Sequence, residues 1–173
     1  ICYLFLGDIG LWRVFGYHLL MSANGNPRLV SLVPSVTETL VAWGVDPIAC
    51  TRFCEQPRFM HIGGTKDPDI DAIVKLKPDL VIMDREENRQ EDYLTLVEAG
   101  VEVEAVHVAS LADVSSEIGR LALRLQIDWS FETPEALQDS AGSNFYRAFV
   151  PIWKRPWMTI GQLTYGASVL RYL

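Results

Sequence analysis

Three groups of residues in this 173-residue chain have types that can do chemistry. The first is acidic. Asp84, Glu86 and Glu87 crowd around Arg85 and Asn88, and His107 lies further along. Such a set suits acid–base work, with Ser31 or Ser35 as a nucleophile. Neither serine sits in a G-x-S-x-G elbow. Adjacent carboxylates in a polar loop are ordinarily just solvated, so a small α/β enzyme using Asp84, Glu86 and His107 is the alternative reading and not the leading one. The second group is metal-ligating in type. His18, His61 and His107 are far apart and form no H-x-x-x-H or E-x-x-H pattern, so no metal site is assigned. Cys50 and Cys54 are not at zinc or thioredoxin spacing, and with Cys2 they read as unpaired thiols, mostly buried. The third group is aromatic. Phe53, Trp153 and Trp157, the last two beside Lys154 and Arg155, offer ring surfaces with a few polar groups. That mixture suits binding of a large organic ligand.

Composition removes other classes. The net charge is −7 and no basic run occurs, which argues against nucleic acid as a partner. Gly63-Gly64-Thr65-Lys66 lacks the first glycine of a phosphate-binding loop, and no G-x-G-x-x-G is present. Residues 1–20 are apolar but interrupted by Asp8 and Arg13, too short and broken for a membrane span. Met21-Ser22-Ala23 reads as a cleavage region or Met21 as the true start, so residues 1–26 read as a leader or as upstream translation.

The third group needs a scaffold, and the periodicity supplies one. Arg28 to Val33 reads as a buried strand, and Ser35-Val36-Thr37-Glu38 as a capping box opening a helix that stops at Gly44. Pro47 to Thr51 reads as a second strand. Asp69 caps a helix with Ile70, Ile73, Val74 and Leu76 at helical spacing, ended by Pro78. Leu80 to Met83 is apolar throughout, as a strand covered on both faces should be. A helix over 90–99, with Tyr93, Leu94 and Val97 on one side, and a strand over 101–107 follow. Ser110 opens a further helix to about Gln126. The stretch 128–144 is less regular, with a helical piece near Pro134 to Asp139. Strand character returns at 148–152, and a helix at 164–173.

Alternating strands and helices of this length predict an α/β fold, a parallel sheet with helices on both faces. In such a sheet ligands gather beyond the C-terminal ends of the strands. The loops at those ends are 34–37, 52–55, 84–88 and 108–110, and 153–157 would add to them from a second lobe.

Three blocks resemble a known family. They are Arg28-Leu-Val-Ser-Leu-Val-Pro-Ser-Val-Thr-Glu-Thr-Leu40, then Ile62-Gly-Gly-Thr-Lys-Asp-Pro-Asp-Ile-Asp-Ala-Ile73 with Leu76-Lys-Pro-Asp-Leu-Val-Ile82, and Phe149-Val-Pro-Ile-Trp-Lys-Arg-Pro-Trp-Met-Thr-Ile-Gly161. Their order and spacing resemble the cobalamin-type substrate-binding proteins of ABC importers, the helical-backbone metal receptor family. The resemblance implies a ligand-binding lobe over 27–110, a connecting helical segment over 111–144 and the beginning of a second lobe over 145–173, most of that lobe being absent. It implies a periplasmic or otherwise extracytoplasmic binder of cobalamin or a related metal-bearing macrocycle, with an ABC permease as partner and no cofactor of its own. Siderophores and haem are the alternative ligands, and a cytoplasmic corrinoid carrier shares the same features. By the same resemblance, Phe53 stands where relatives place a Tyr against the corrin face, and Thr65 where some place a Trp. Pro34, Ser35 and Arg85 would line the cleft with them, Trp153 and Trp157 would pack on the ligand, and Asp71 would meet arginines of the permease. A solvated carboxylate in the first turn of a helix explains Asp71 equally well.

Overall fold

A computed structural model of the chain describes residues 27–130 and 149–171. The expected leader with Met21, Cys2 and His18, and the irregular stretch containing Pro134 to Asp139, lie outside those residues. The chain divides into two compact units, one ending at Val106 and one beginning at His107.

The first unit is a five-stranded parallel sheet in the order β3-β2-β1-β4-β5. The strands are β1 (Leu29–Ser31), β2 (Ala49–Cys50), β3 (Met60–His61), β4 (Leu80–Asp84) and β5 (Val103–Val106). Three helices alternate with them: α1 (Pro34–Ala42), α2 (Ile70–Leu76) and α3 (Gln90–Glu98). The α/β fold expected from the periodicity is present.

Side chains alternate across each strand, which assigns the two faces. Val30, Ala49, Val81 and Met83 point to one face, where Ile73 of α2 and Tyr93 and Leu96 of α3 close a core with Leu32 and Ile62. Ser31 points the other way and accepts a hydrogen bond from Thr37 of α1. The central strands β1 and β4 are apolar but for Ser31 and Asp84, because both faces are covered.

Local signals explain the helix ends. The Asp69 carboxylate accepts from the Ala72 amide at 2.9 Å and caps α2 as expected. Lys77 ends that helix at φ 47°, and Pro78 prevents its continuation. α1 departs from expectation. It begins at Pro34, with Val33 as the capping position and no side-chain cap. A proline fits the first helical position because its φ is preset and its missing N–H is not needed there. Ser35 therefore lies inside the helix, and the capping box does not form. In α3 the inward stripe is Tyr93, Leu96 and Val97, not Leu94, which is 43% exposed. β1, β2 and β5 run shorter than expected, β4 extends one residue further, to Asp84, and β3 was not expected at all.

The second unit contains α4 (Leu111–Arg124), an antiparallel pair β6 (Pro151–Trp153) and β7 (Met158–Thr159), and α5 (Tyr165–Leu170). Leu121 and Ala122 of α4 are buried. The Ser168 hydroxyl of α5 accepts from the Leu111 amide at 2.9 Å, and Thr164 caps α5. No helix among the described residues is long and apolar enough to cross a membrane.

Candidate functional site

A sheet of this order changes direction between β1 and β4. After β1 the chain builds outward through β2 and β3, then crosses back to the other side of β1. In open parallel sheets the loops leaving such a pair of strands part in opposite directions, and the place beyond their C-terminal ends is where a ligand crevice forms. Pro34 and Ser35 leave β1 there, and Arg85 leaves β4. Phe53 follows β2 and Thr65 follows β3 on the same rim. Five of the seven expected ligand-binding residues thus share one edge of one sheet. Asp71 is exposed in the first turn of α2.

A small polar network holds the first two loops. The Thr37 hydroxyl lies 2.8 Å from the Ser31 hydroxyl and 3.0 Å from the Val33 carbonyl oxygen, and the Cys54 thiol reaches Thr37 at 3.3 Å. Thr51 also meets Cys54, and its hydroxyl accepts from the Phe53 amide. Every one of these groups but the Phe53 amide belongs to a buried residue, so each needs such a partner. Cys50 and Cys54 are both free and buried, matching the reading of unpaired thiols. Burial pushes the Cys50 thiol up to about 12, with Cys54 and Glu38 adding to the effect, so it stays protonated and unreactive at neutral pH.

Phe53 projects from this base with 56% of its surface exposed. The Arg52 guanidinium lies 4.9 Å from the centre of its ring and holds both oxygens of Asp67 at 3.0 Å. Beneath them is Gly64, which is buried; a methyl group there would approach the Arg52 guanidinium and the Phe53 ring edge to 2.9 Å each. A bare backbone at position 64 is what lets the ring and the ion pair lie down together. Arg52, Asp67 and Gly64 were not among the expected site residues. The adjacent glycines were the available signal, weighed above only against a phosphate-binding loop.

The loop after β4 is organised by its own side chains. Asp84 Oδ1 accepts from the amides of Glu86 and Glu87 at 2.8 and 3.0 Å. That carboxylate oxygen is committed to shaping the turn, which weakens the acid–base alternative built on it. Lys66 donates to the Glu86 carbonyl oxygen at 2.7 Å, tying this loop to the one after β3. Asn88, buried beneath, bonds to Leu32, Thr65 and Asp84, and it too was absent from the expected set.

Desolvation by its surroundings raises the Glu87 carboxyl above its ordinary value, with Asp84 and Glu86 adding and Lys66 opposing. The folded state then holds that proton more tightly than the unfolded chain. Its contribution is favourable below pH 4.5 and is lost as pH rises through the raised folded value. Glu87→Gln is expected to raise the melting temperature at pH 7. The gain should disappear below pH 4.5, and a gain independent of pH in paired melts would refute this cause.

In the second unit, Trp153 and Trp157 flank the turn between β6 and β7, each 64% exposed. The Lys154 ammonium lies 5.8 Å from the Trp157 ring centre. Both indoles face outward on their own unit, as a stacking surface requires.

Residues 29–124, more than half of the chain, match the family described as periplasmic binding protein. The chain belongs to that family. The family resemblance read from the three blocks therefore holds. Among curated relatives, the vitamin B12-binding protein of Salmonella paratyphi A is 28% identical over 119 residues, which are 66% of this chain and 42% of that protein. The matched stretch thus spans less than half the length of this relative. Among solved structures, the periplasmic vitamin B12 binding protein of Vibrio cholerae superposes with a TM-score of 0.70 at 20% identity, covering 84% of this chain and 63% of that one. An ABC transporter substrate-binding protein from Listeria monocytogenes gives 0.69 at 14% identity, covering 86% and 63%. At these identities the structural likenesses show the fold alone.

Proposed function

We propose that this protein is a non-catalytic receptor that captures cobalamin or a related metal-bearing macrocycle outside the cytoplasm and presents it to an ABC permease. The observation that carries this reading is the rim of the sheet. It offers an exposed aromatic ring on a rigid backing, flanked by Pro34, Ser35, Thr65 and Arg85, where an enzyme would offer reactive groups in mutual contact. The curated relative named for vitamin B12 supports the choice of ligand. Phe53 stacks on the macrocycle; it keeps the flat surface of a tyrosine without the hydroxyl. Trp153 and Trp157 supply further ring surface, and Asp71 meets cationic groups of the permease.

The test is fluorescence titration of the full chain with cobalamin, haemin and a ferric hydroxamate siderophore. Cobalamin should bind most tightly. Phe53→Ala should weaken it about tenfold, the loss expected for one stacked ring, or ~1.4 kcal/mol. Because Phe53 is exposed, the melting temperature should hardly change. Failure of all three ligands to bind would overturn the reading.

A further inference from the structure

The place beyond the ends of β1 and β4 is where open parallel sheets usually seat a ligand. Here one buried side chain of the protein bonds to the backbone at the ends of both strands. Asn88 is 4% exposed. Its Oδ1 accepts from the Asp84 amide at 2.8 Å, and its Nδ2 donates to the Leu32 carbonyl oxygen at 3.2 Å and to that of Thr65 at 2.8 Å. Its own amide donates to the Asp84 carbonyl oxygen at 3.0 Å. Leu32 follows β1, Thr65 follows β3 and Asp84 ends β4. A primary amide has two N–H donors, and both are used on different loops. No other residue type of this size offers two donors and an acceptor in one plane. Aspartate has the same shape but would set a carboxylate against two carbonyl oxygens.

We propose that Asn88 is a positioning residue that locks the loops after β1, β3 and β4 into one geometry and makes them a continuous platform. This rests on the receptor reading above. With Asn88 bonded across the strand ends, a ligand lies across the loops instead of entering between the strands, which favours a broad flat partner over a narrow phosphate. Loops already fixed need not be ordered when the ligand arrives, so affinity is gained through preorganisation.

Amide hydrogen exchange on the full chain, without ligand, tests the lock directly. In the native protein the amides of Leu32, Gly64, Asp84 and Glu86 should open together with one common protection. Asn88→Ala should speed exchange at all four by about tenfold or more. The core variant Ile73→Val, with a comparable loss of global stability, should leave these loops protected relative to the rest. In cobalamin titrations, Asn88→Ala should lose about tenfold in affinity and Ile73→Val less than threefold. Asn88→Asp should behave like Asn88→Ala. Independent opening of the loops in the native chain, or faster exchange confined to 84–88, would overturn the proposal, as would equal affinity losses in the two variants. Should Asn88→Ala not fold, the native exchange pattern still decides. If the native chain binds no cobalamin, the receptor reading fails, while exchange continues to report on Asn88.

Discussion

Gly63→Ala is expected to destabilise the protein by about 3 kcal/mol. Two effects combine. Gly63 has φ +87°, a conformation that costs a side-chain-bearing residue about 1–3 kcal/mol. The added methyl group would also run into backbone, meeting the Asp67 carbonyl oxygen, with Asp69 N and Pro68 Cα each at 3.0 Å. Overpacking of this kind adds about 1–3 kcal/mol, and these atoms cannot swing aside as a side-chain end can. The turn is pinned on both sides, since Arg52 donates to the Gly63 carbonyl oxygen at 2.8 Å and Asp69 to that of Ile62 at 3.0 Å. Gly44→Ala is the natural control. Its φ is +75°, but no atom lies within 4 Å of the added methyl, so only the conformational cost of about 1 kcal/mol remains. Urea denaturation of both variants measures the difference. Equal losses would mean that the close approach at Gly63 contributes nothing.

Ile73→Ala should be about as damaging, by another route. Ile73 is fully buried where α2 meets the sheet, in contact with the cluster that includes Val30, Val81 and Met83. Truncation removes favourable transfer energy and leaves a cavity, together worth about 2–5 kcal/mol. The same helix carries Asp71 on its exposed side. At temperatures where the variant remains folded, the permease docking proposed for Asp71 should therefore survive a loss of core packing. A denaturation midpoint within 1 kcal/mol of the native protein would show that the site collapses around the smaller side chain.

Much of the fold was legible because local signals agreed with global needs. The apolar run 80–83 could only be a doubly covered strand, and Asp69 announced α2. Failures occurred where those levels separated. β3 has two residues, both exposed, at the edge of the sheet, and it exists only because Cys50 and Ala49 of β2 give it partners. Nothing in Met60-His61 alone announces that. Ser35 looked like a cap, yet the preset φ of Pro34 claimed the first helical position. The rim of the site was legible for a topological reason, since the loop after each parallel strand emerges on the same side. The groups that fix its geometry were not. Asn88 reaches partners 23 and 56 residues away, and Arg52 pairs with a carboxylate 15 residues on. Side-chain spacing within one segment carries no trace of such bonds.

The position of β1 has a consequence during synthesis. Its hydrogen-bonding partners are β2 on one side and β4 on the other, where Leu29 pairs with Leu80. A ribosome delivers β2 soon after β1 but supplies β4 only about fifty residues later, so one flank of the future central strand waits bare in the nascent chain. A polypeptide stopped before Leu80 retains that sticky flank for good. Such a fragment should precipitate or recruit a chaperone, whereas one extended through Val106 carries all five strands described for this sheet.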